Sequence, residues 1–270
     1  MHDPHVETLV YRVVHSDDLD YSKAKPETWD DDVRFRIVLV KPDSGTGRAI
    51  VRFEMKEHHA TEDAARTVVE PTARAWSLSA LLKDGPGAFD LEYDHTELID
   101  RAPSKGRSLN LSAGIYAVTG MDAQLTIGRK AYPSPPADLA VNPDIQMMAY
   151  RYTNYREDRE PLAGMANFCR TVFLMSANGQ ESRVAKSHKI EREVLAALTI
   201  LSTERGGRDA RKAEGRDQEH SRAERQWVEE VILALIRRAA EYEYDPNGSF
   251  HTIRMSDFPD ISASVSSRRR

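Results

Sequence analysis

The strongest constraint on the fold is a helical stripe of apolar residues in the last quarter of the chain. Apolar side chains recur there at the spacing of one helix face: Trp227, Val228, Val231, Ile232, Leu235, Ile236 and Ala239. Ser221 and Glu224 have the spacing of a capping box, in which each side chain satisfies a backbone N–H of the first turn. The sequence therefore predicts a long amphipathic helix, and its apolar stripe requires a packing partner.

A second amphipathic helix is predicted upstream, beginning at Glu181 and joined to the first by a polar, arginine-rich connection. Two further helices are predicted at 144–156 and from Pro161 to Asn178-Gly179. The apolar side of the helix that begins at Glu181 consists of Ile190, Val194, Leu195, Leu198 and Leu201. These patterns predict an all-α four-helix bundle over 144–244, followed by a flexible tail at 245–270.

The first 132 residues show the alternation of β-strands. Residues 33–41 and 48–56 each alternate apolar and charged side chains and flank a Gly- and Pro-containing turn, which predicts a hairpin. Further strands are predicted at 9–14, at 89–99 and within 109–127. One helix begins after Thr61 and runs toward Leu82, and Pro71 marks either a kink or a junction of two helices. This order predicts an α+β domain, a mostly antiparallel sheet with one covering helix.

The sequence Tyr132-Pro133-Ser134-Pro135-Pro136 is the clearest boundary signal, because clustered prolines interrupt both helices and central strands. The predicted organisation is an α+β sheet domain at 1–132, a Pro-rich linker at 133–143, the helical bundle and the tail. We found no internal repeat.

Composition narrows the classes of function. The formal net charge of -5 provides no global basic field for nucleic acid or an acidic membrane. A single cysteine, Cys169, excludes an internal disulfide and a multi-cysteine zinc cluster. The sequence has neither a signal segment nor a membrane-spanning apolar run, so a cytoplasmic protein without membrane partners is predicted. No cofactor and no metal are predicted, since His58 and His59 should point apart on a strand.

Arg183 and His188 are the candidate catalytic residues. Five positions apart on one helix, a guanidinium and an imidazole can converge on one phosphodiester, where Arg stabilises charge and His moves protons. The spacing resembles the Arg-x(4–6)-His motif of the HEPN superfamily, whose small helical bundles include many metal-independent ribonucleases. The resemblance covers the C-terminal half. It implies a ribonuclease with Arg183 on the phosphate and His188 as acid and base.

The same segment also fits a helix-turn-helix. Ala185, Ile190, Leu195 and Leu198 lie near the small and apolar positions of that motif, with a turn around His188–Lys189 and a recognition helix from Glu191. Glu191 and Glu193 would repel phosphates, and no glycine marks the turn. One continuous helix explains the same spacings.

The densest basic cluster lies in the connection before the last helix and is the candidate nucleic-acid-binding site: Arg205, Arg208, Arg211 and Lys212. Arginine binds phosphate well, so this cluster predicts an anion or RNA contact. Asp209, Glu214 and Asp217 dilute the charge, and a solvated interhelical loop is the alternative.

The leading functional hypothesis is a non-catalytic interaction module that binds a protein or RNA partner, as an assembly or regulatory component. Its basis is the lack of a strong catalytic constellation and the apolar helix surfaces, which can also support a homodimer. The alternatives are a HEPN-like metal-independent ribonuclease and a helix-turn-helix DNA binder through 181–201.

Overall fold

The structure, a computed structural model, describes residues 3–30, 33–40, 49–101, 127–175, 179–206 and 218–261. The fold is α+β, and the chain divides into two units, Met1–Pro135 and Pro136–Arg270. The division falls inside the predicted Pro-rich linker, where the proline cluster interrupts regular structure.

The first unit contains a five-stranded antiparallel sheet in the order β3-β4-β5-β1-β6. Its strands are β1 (Pro4–Val14), β3 (Glu27–Asp30), β4 (Phe35–Val40), β5 (Ile50–Met55) and β6 (Asp90–Asp100), while β2 (Leu19–Asp20) and β7 (Ile127–Gly128) form a short parallel pair. The predicted hairpin pairing is confirmed, with Phe35 opposite Met55 and Leu39 opposite Val51. Its turn at 42–47, and the strands predicted within 109–126, lie outside the described residues.

Helix α1 (Glu62–Asp84) packs on one face of this sheet. Thr61 caps it as predicted, since its hydroxyl accepts a hydrogen bond from the Ala64 N–H at 3.3 Å. Pro71 lies on the exposed side within a single helix. Residues of α1 and the inward faces of three strands, β1, β4 and β5, form most of the core: Leu9, Tyr11, Val13, Phe35, Ile37, Leu39, Val51, Phe53, Val69, Ala73 and Trp76.

The opposite face of the sheet carries ion pairs. Arg52 and Glu97 form a two-point pair with one N···O distance of 2.8 Å, and hydrogen bonding to Arg52 lowers the pKa of Glu97. In the strand register Arg52 lies opposite Val10 and Glu97 opposite Thr8, so the pair crosses β1. Thr8 and Val10 are fully buried there. Further pairs neutralise other cations of this face: Arg12–Asp94, Arg36–Glu54 and Lys56–Asp30.

The second unit is helical, with α2 (Pro143–Arg156), α3 (Leu162–Met175), α4 (Glu181–Ser187), α5 (Arg192–Thr203) and α6 (Arg222–Tyr244). Helix α3 packs against α2, α5 and α6. The capping box of α6 is confirmed, because Ser221 Oγ accepts from the Glu224 N–H and Glu224 Oε2 accepts from the Ser221 N–H. Its predicted apolar stripe from Trp227 to Ile236 is buried. No helix in the described ranges has the length and apolar character needed to cross a bilayer.

The prediction of one continuous helix from Glu181 is wrong. Helix α4 ends at Ser187, α5 begins at Arg192, and Lys189 between them has a φ of 52°. The cause is tertiary. Arg238 of α6 donates hydrogen bonds to the His188 and Lys189 carbonyls, and Ile190 forms a parallel bridge with Ile253. These partners satisfy backbone groups that a continuous helix would pair internally.

Residues 250–257, here called the C-terminal segment, pack against the turn between α4 and α5. The Ile253 N–H donates to the Lys189 carbonyl and the Glu191 N–H donates to the Ile253 carbonyl, both at 2.9 Å. A flexible tail was predicted for this stretch. The segment is ordered because its backbone groups pair with partners that lie about sixty residues earlier in the chain.

Candidate functional site

His188 lies at the C-terminal end of α4 and is only 6% exposed. Its ring lies between Phe173 and Tyr242, with centroid distances of 5.0 and 4.3 Å. Nδ1 is 2.9 Å from the Ser187 hydroxyl. Burial is the main cause that lowers the pKa of His188, and the Arg238 charge lowers it further, while a backbone hydrogen bond opposes both. The imidazole is therefore neutral near pH 7 and enclosed by aromatic rings.

Arg183 is exposed on α4, whereas the His188 ring is buried. A ribonuclease of the proposed kind needs both groups at the surface, where one phosphodiester can reach them. The ribonuclease hypothesis stays a prediction, and the environment of His188 does not favour it.

Exposed cations occur at every third position across the α4–α5 junction, and we call this set the basic surface. It comprises Arg183, Lys186, Lys189 and Arg192. Within the described part of the chain, none of the four forms an ion pair with a carboxylate. Their charges are available to an external anion.

Two of the three carboxylates in this segment are occupied. Glu181 Oε2 lies 3.6 Å from Arg170 Nη2. Glu191 accepts the Met255 N–H at 3.0 Å and lies 3.9 Å from Arg254 Nε. Glu193 in the first turn of α5 is exposed. The segment therefore contains four cations and one carboxylate without a partner among the described residues. It is locally positive, although the whole chain is acidic.

Helices α4 and α5 are separated by a turn where the helix-turn-helix alternative predicted one, and DNA binding through it stays a prediction. Ala185, Ile190, Leu195 and Leu198 are all buried, as that motif needs. The turn forms without a glycine, because Lys189 adopts the left-handed conformation that glycine usually supplies. Helix α5 begins at Arg192, one residue after the predicted start.

The left-handed conformation of Lys189 can be tested with two variants that both remove its charge but differ in how well they tolerate a positive φ. Lys189→Gly should change the free energy of unfolding by less than about 1 kcal/mol, since relief of strain and added chain entropy oppose each other. Lys189→Val should cost about 1–2 kcal/mol, because a β-branched residue fits a positive φ poorly. Urea unfolding measures both values, and equal values would contradict the assigned turn.

Arg238 organises this turn, and the sequence reasoning missed it. Its side chain is buried and donates from Nη2 to the His251 carbonyl at 2.7 Å, from Nε to Glu241 at 3.0 Å, and from Nη1 to the turn carbonyls. The guanidinium also lies 5.1 Å from the Phe250 ring centroid. The sequence did contain a signal for it. Position 238 lies seven residues after Val231 and three after Leu235, so it continues the apolar stripe, and an arginine at such a position indicates a buried charge.

Of the predicted basic cluster, Arg205 is described. Its Nη1 donates to Gln218 Oε1 at 2.5 Å, and its Nε lies 3.5 Å from Glu224 Oε1. Arg205 therefore links the end of α5 to the start of α6. Arg208, Arg211 and Lys212 lie outside the described residues, so their contact with nucleic acid stays a prediction.

A cavity of about 580 Å³ lies in the helical unit, and we call it the Asp158 cavity. The turn between α2 and α3, the residues after α5 and the start of α6 form its walls. Its polar lining includes Tyr155, Asp158, Arg159, Glu219, His220 and Arg225. The sequence reasoning missed this site, since its walls come from three separated segments.

Within the described ranges, no group of three or more His, Cys, Asp or Glu side chains is arranged to hold a metal ion. His5 and His58 stack at a centroid distance of 5.3 Å in the first unit. Burial raises the pKa of the Cys169 thiol to about 12, so it is protonated at neutral pH and is a poor nucleophile.

The chain has no significant match among protein-family models, curated proteins or solved structures. The class of protein that the geometry defines is thus an α+β protein whose helical unit carries exposed cations at the α4–α5 junction.

Proposed function

We propose that this chain is a non-catalytic interaction module that binds RNA through the basic surface, as an assembly or regulatory component. The observation that carries the proposal is the set of four exposed cations between Arg183 and Arg192, which lack a carboxylate partner among the described residues. Lysine and arginine that neutralise phosphates release condensed counterions, so such a surface favours a polyanion. Because the net charge of the chain is -5, the attraction must be local.

Glu193 favours a flexible single strand over a duplex. A helix-turn-helix inserts the start of its second helix into the major groove, which would bring the Glu193 carboxylate among DNA phosphates. A single-stranded RNA backbone can follow the four cations and avoid this carboxylate. Helix α5 also supplies few side chains for reading base edges, since the half-buried Ala196 and Ile200 that follow the exposed Arg192 and Glu193 are apolar.

DNA binding through α4 and α5 is the second candidate. The specific observation in its favour is the turn between Ser187 and Arg192, with its buried Ala185, Ile190 and Leu195. Competition between duplex DNA and single-stranded RNA for the same protein separates the two candidates.

Removal of two cations from the basic surface should weaken RNA binding. Fluorescence anisotropy measures the association constant for a labelled single-stranded RNA. A plot of the logarithm of that constant against the logarithm of the salt concentration should have a slope of about -3 for four phosphate contacts. The double variant Lys186→Gln with Lys189→Gln should reduce the size of that slope by about 1.4 and the low-salt affinity by roughly tenfold.

The matched control is the double variant Arg222→Gln with Arg237→Gln, which removes two exposed cations from α6. It should retain most of the affinity. Equal losses in both double variants, or no RNA binding by the parent, would contradict the proposal. The same samples on a denaturing gel also test the ribonuclease alternative, because cleavage that disappears in His188→Ala would make catalysis the primary function.

A further inference from the structure

The Asp158 cavity contains more hydrogen-bond acceptors than its own donors occupy. Three carboxylates line it, from Asp158, Glu160 and Glu219, together with the guanidinium groups of Arg159 and Arg225. Glu160 is occupied by Arg151, whose Nε donates to Glu160 Oε1 at 2.7 Å. The remaining charges decide which ligand the cavity accepts.

Both lining guanidinium groups are engaged. Arg159 pairs with Glu157. Arg225 Nε donates to the His220 carbonyl at 3.3 Å, and its Nη2 lies 4.0 Å from Glu219 Oε2, at the limit of an ion pair. Within the described residues Asp158 forms no ion pair. The cavity therefore presents two exposed carboxylates, Asp158 without an ion-pair partner among the described residues and Glu219 with one distant partner.

His220 supplies an independent acceptor. It is 8% exposed, and its Nε2 lies 2.9 Å from the Leu201 carbonyl oxygen. A carbonyl accepts, so Nε2 carries the hydrogen and Nδ1 of the neutral ring is an acceptor. No described group donates to Nδ1, and His220 lines the cavity. A ligand with N–H donors can hydrogen-bond to this nitrogen.

The turn that carries Asp158 is fixed by the backbone. The Asp158 N–H donates to the Tyr155 carbonyl at 3.1 Å, and the Arg159 N–H donates to the Asn154 carbonyl at 2.8 Å. Asp158 has a φ of 56°, which Asp and Asn tolerate better than other side chains. The backbone of Asp158 is thus held at the cavity wall by a defined turn.

We propose that the Asp158 cavity binds the guanidinium group of an arginine-type ligand. A guanidinium has five N–H donors and no acceptor, which matches the carboxylates of Asp158 and Glu219 and Nδ1 of His220. Its weakly hydrated plane also packs well on an aromatic ring, and Tyr155 lines the same cavity. This site is separate from the basic surface and does not depend on RNA binding.

Isothermal titration calorimetry on the full chain tests the proposal with two probes, agmatine and the peptide acetyl-Gly-Arg-Gly-amide. The same peptide with citrulline in place of arginine is the neutral control, since it keeps the shape without the charge. We expect the arginine peptide to bind at least about tenfold more tightly than the citrulline peptide. Tighter binding of agmatine would identify a small free cation as the ligand, and tighter binding of the peptide would identify a side chain of a partner.

Asp158→Asn removes the charge and suits the same backbone conformation, and Asp158→Gly is a second variant that a positive φ accepts. Each should weaken guanidinium binding at least about tenfold, with the circular dichroism spectrum of the parent. Glu193→Gln removes one carboxylate outside the cavity and should bind like the parent. Absence of binding by either probe up to about 10 mM, or equal binding by the Asp158 variants, would overturn the proposal.

Discussion

Replacement of Arg238 by alanine is expected to destabilise the helical unit by about 3 kcal/mol or more. Arg238 is only 5% exposed, and its side chain donates to three backbone carbonyls and one carboxylate. Alanine would leave the His188 and His251 carbonyls without this donor and would create a cavity beside Phe250. The turn between α4 and α5 and the C-terminal segment should loosen together, because one guanidinium holds both.

Arg237→Ala is the matched control. Arg237 precedes Arg238 and pairs with the same carboxylate, Glu241, but its side chain is 57% exposed. Its loss should cost less than about 0.5 kcal/mol. Arg238→Lys should fall between the two, since an ammonium keeps the charge but cannot reproduce the planar fork. Urea unfolding measures the free energy of unfolding of all three variants, and hydrogen exchange reports the local stability of α6. Similar losses for Arg237→Ala and Arg238→Ala would refute this role of Arg238.

Acidification is expected to lower the stability of the helical unit as the pH falls through about 6.5. Burial is the largest cause that lowers the pKa of both His188 and His220. Arg238 lowers the pKa of His188 further, and Arg225 and Arg205 act in the same direction on His220. The Leu201 carbonyl and Glu224 oppose the shift at His220, and a backbone hydrogen bond opposes it at His188.

The sign follows from proton linkage. Unfolding returns each imidazole to a pKa near 6.5, so below that pH the unfolded chain binds more protons than the folded chain. Stability is therefore retained above pH 6.5 and is lost as the pH falls toward the lower pKa of the folded state. If two histidines each take up one proton on unfolding, the free energy of unfolding falls by up to about 2.7 kcal/mol for each pH unit of acidification.

Measurement of urea unfolding at a series of pH values checks this expectation. His220→Gln should reduce the slope, because it removes one of the two groups. His251→Gln is the control, since His251 is 77% exposed and should leave the slope unchanged. A stability that stays constant between about pH 7.5 and 5.5 would show that the two rings are not buried as described.

Local signals in the sequence predicted much of the fold. The alternation in β4 and β5 predicted the correct hairpin, because one face of each strand must be buried. Thr61 and the Ser221–Glu224 pair predicted both helix starts, because a cap depends on residues only three positions apart. Each of these features is a property of a few neighbouring residues.

The candidate site was predicted less completely. The sequence pointed to the segment that holds Arg183 and His188, and it offered a turn there as one of two interpretations. It could not show that His188 lies between Phe173 and Tyr242, or that Glu191 is occupied by the C-terminal segment. The burial and pairing of both side chains depend on residues more than ten positions away.

By itself the sequence determined the α+β class, the paired strands of the hairpin and the long helix α6, because periodic burial and capping depend on neighbouring residues. Only the tertiary structure decided that the helix from Glu181 breaks at Lys189 and that Arg238 holds the break. It alone brought Asp158 and His220 to one cavity. The physical reason is that backbone carbonyls and charged side chains are satisfied by whichever partners the packed helices bring near, and spacing along the chain does not encode those partners.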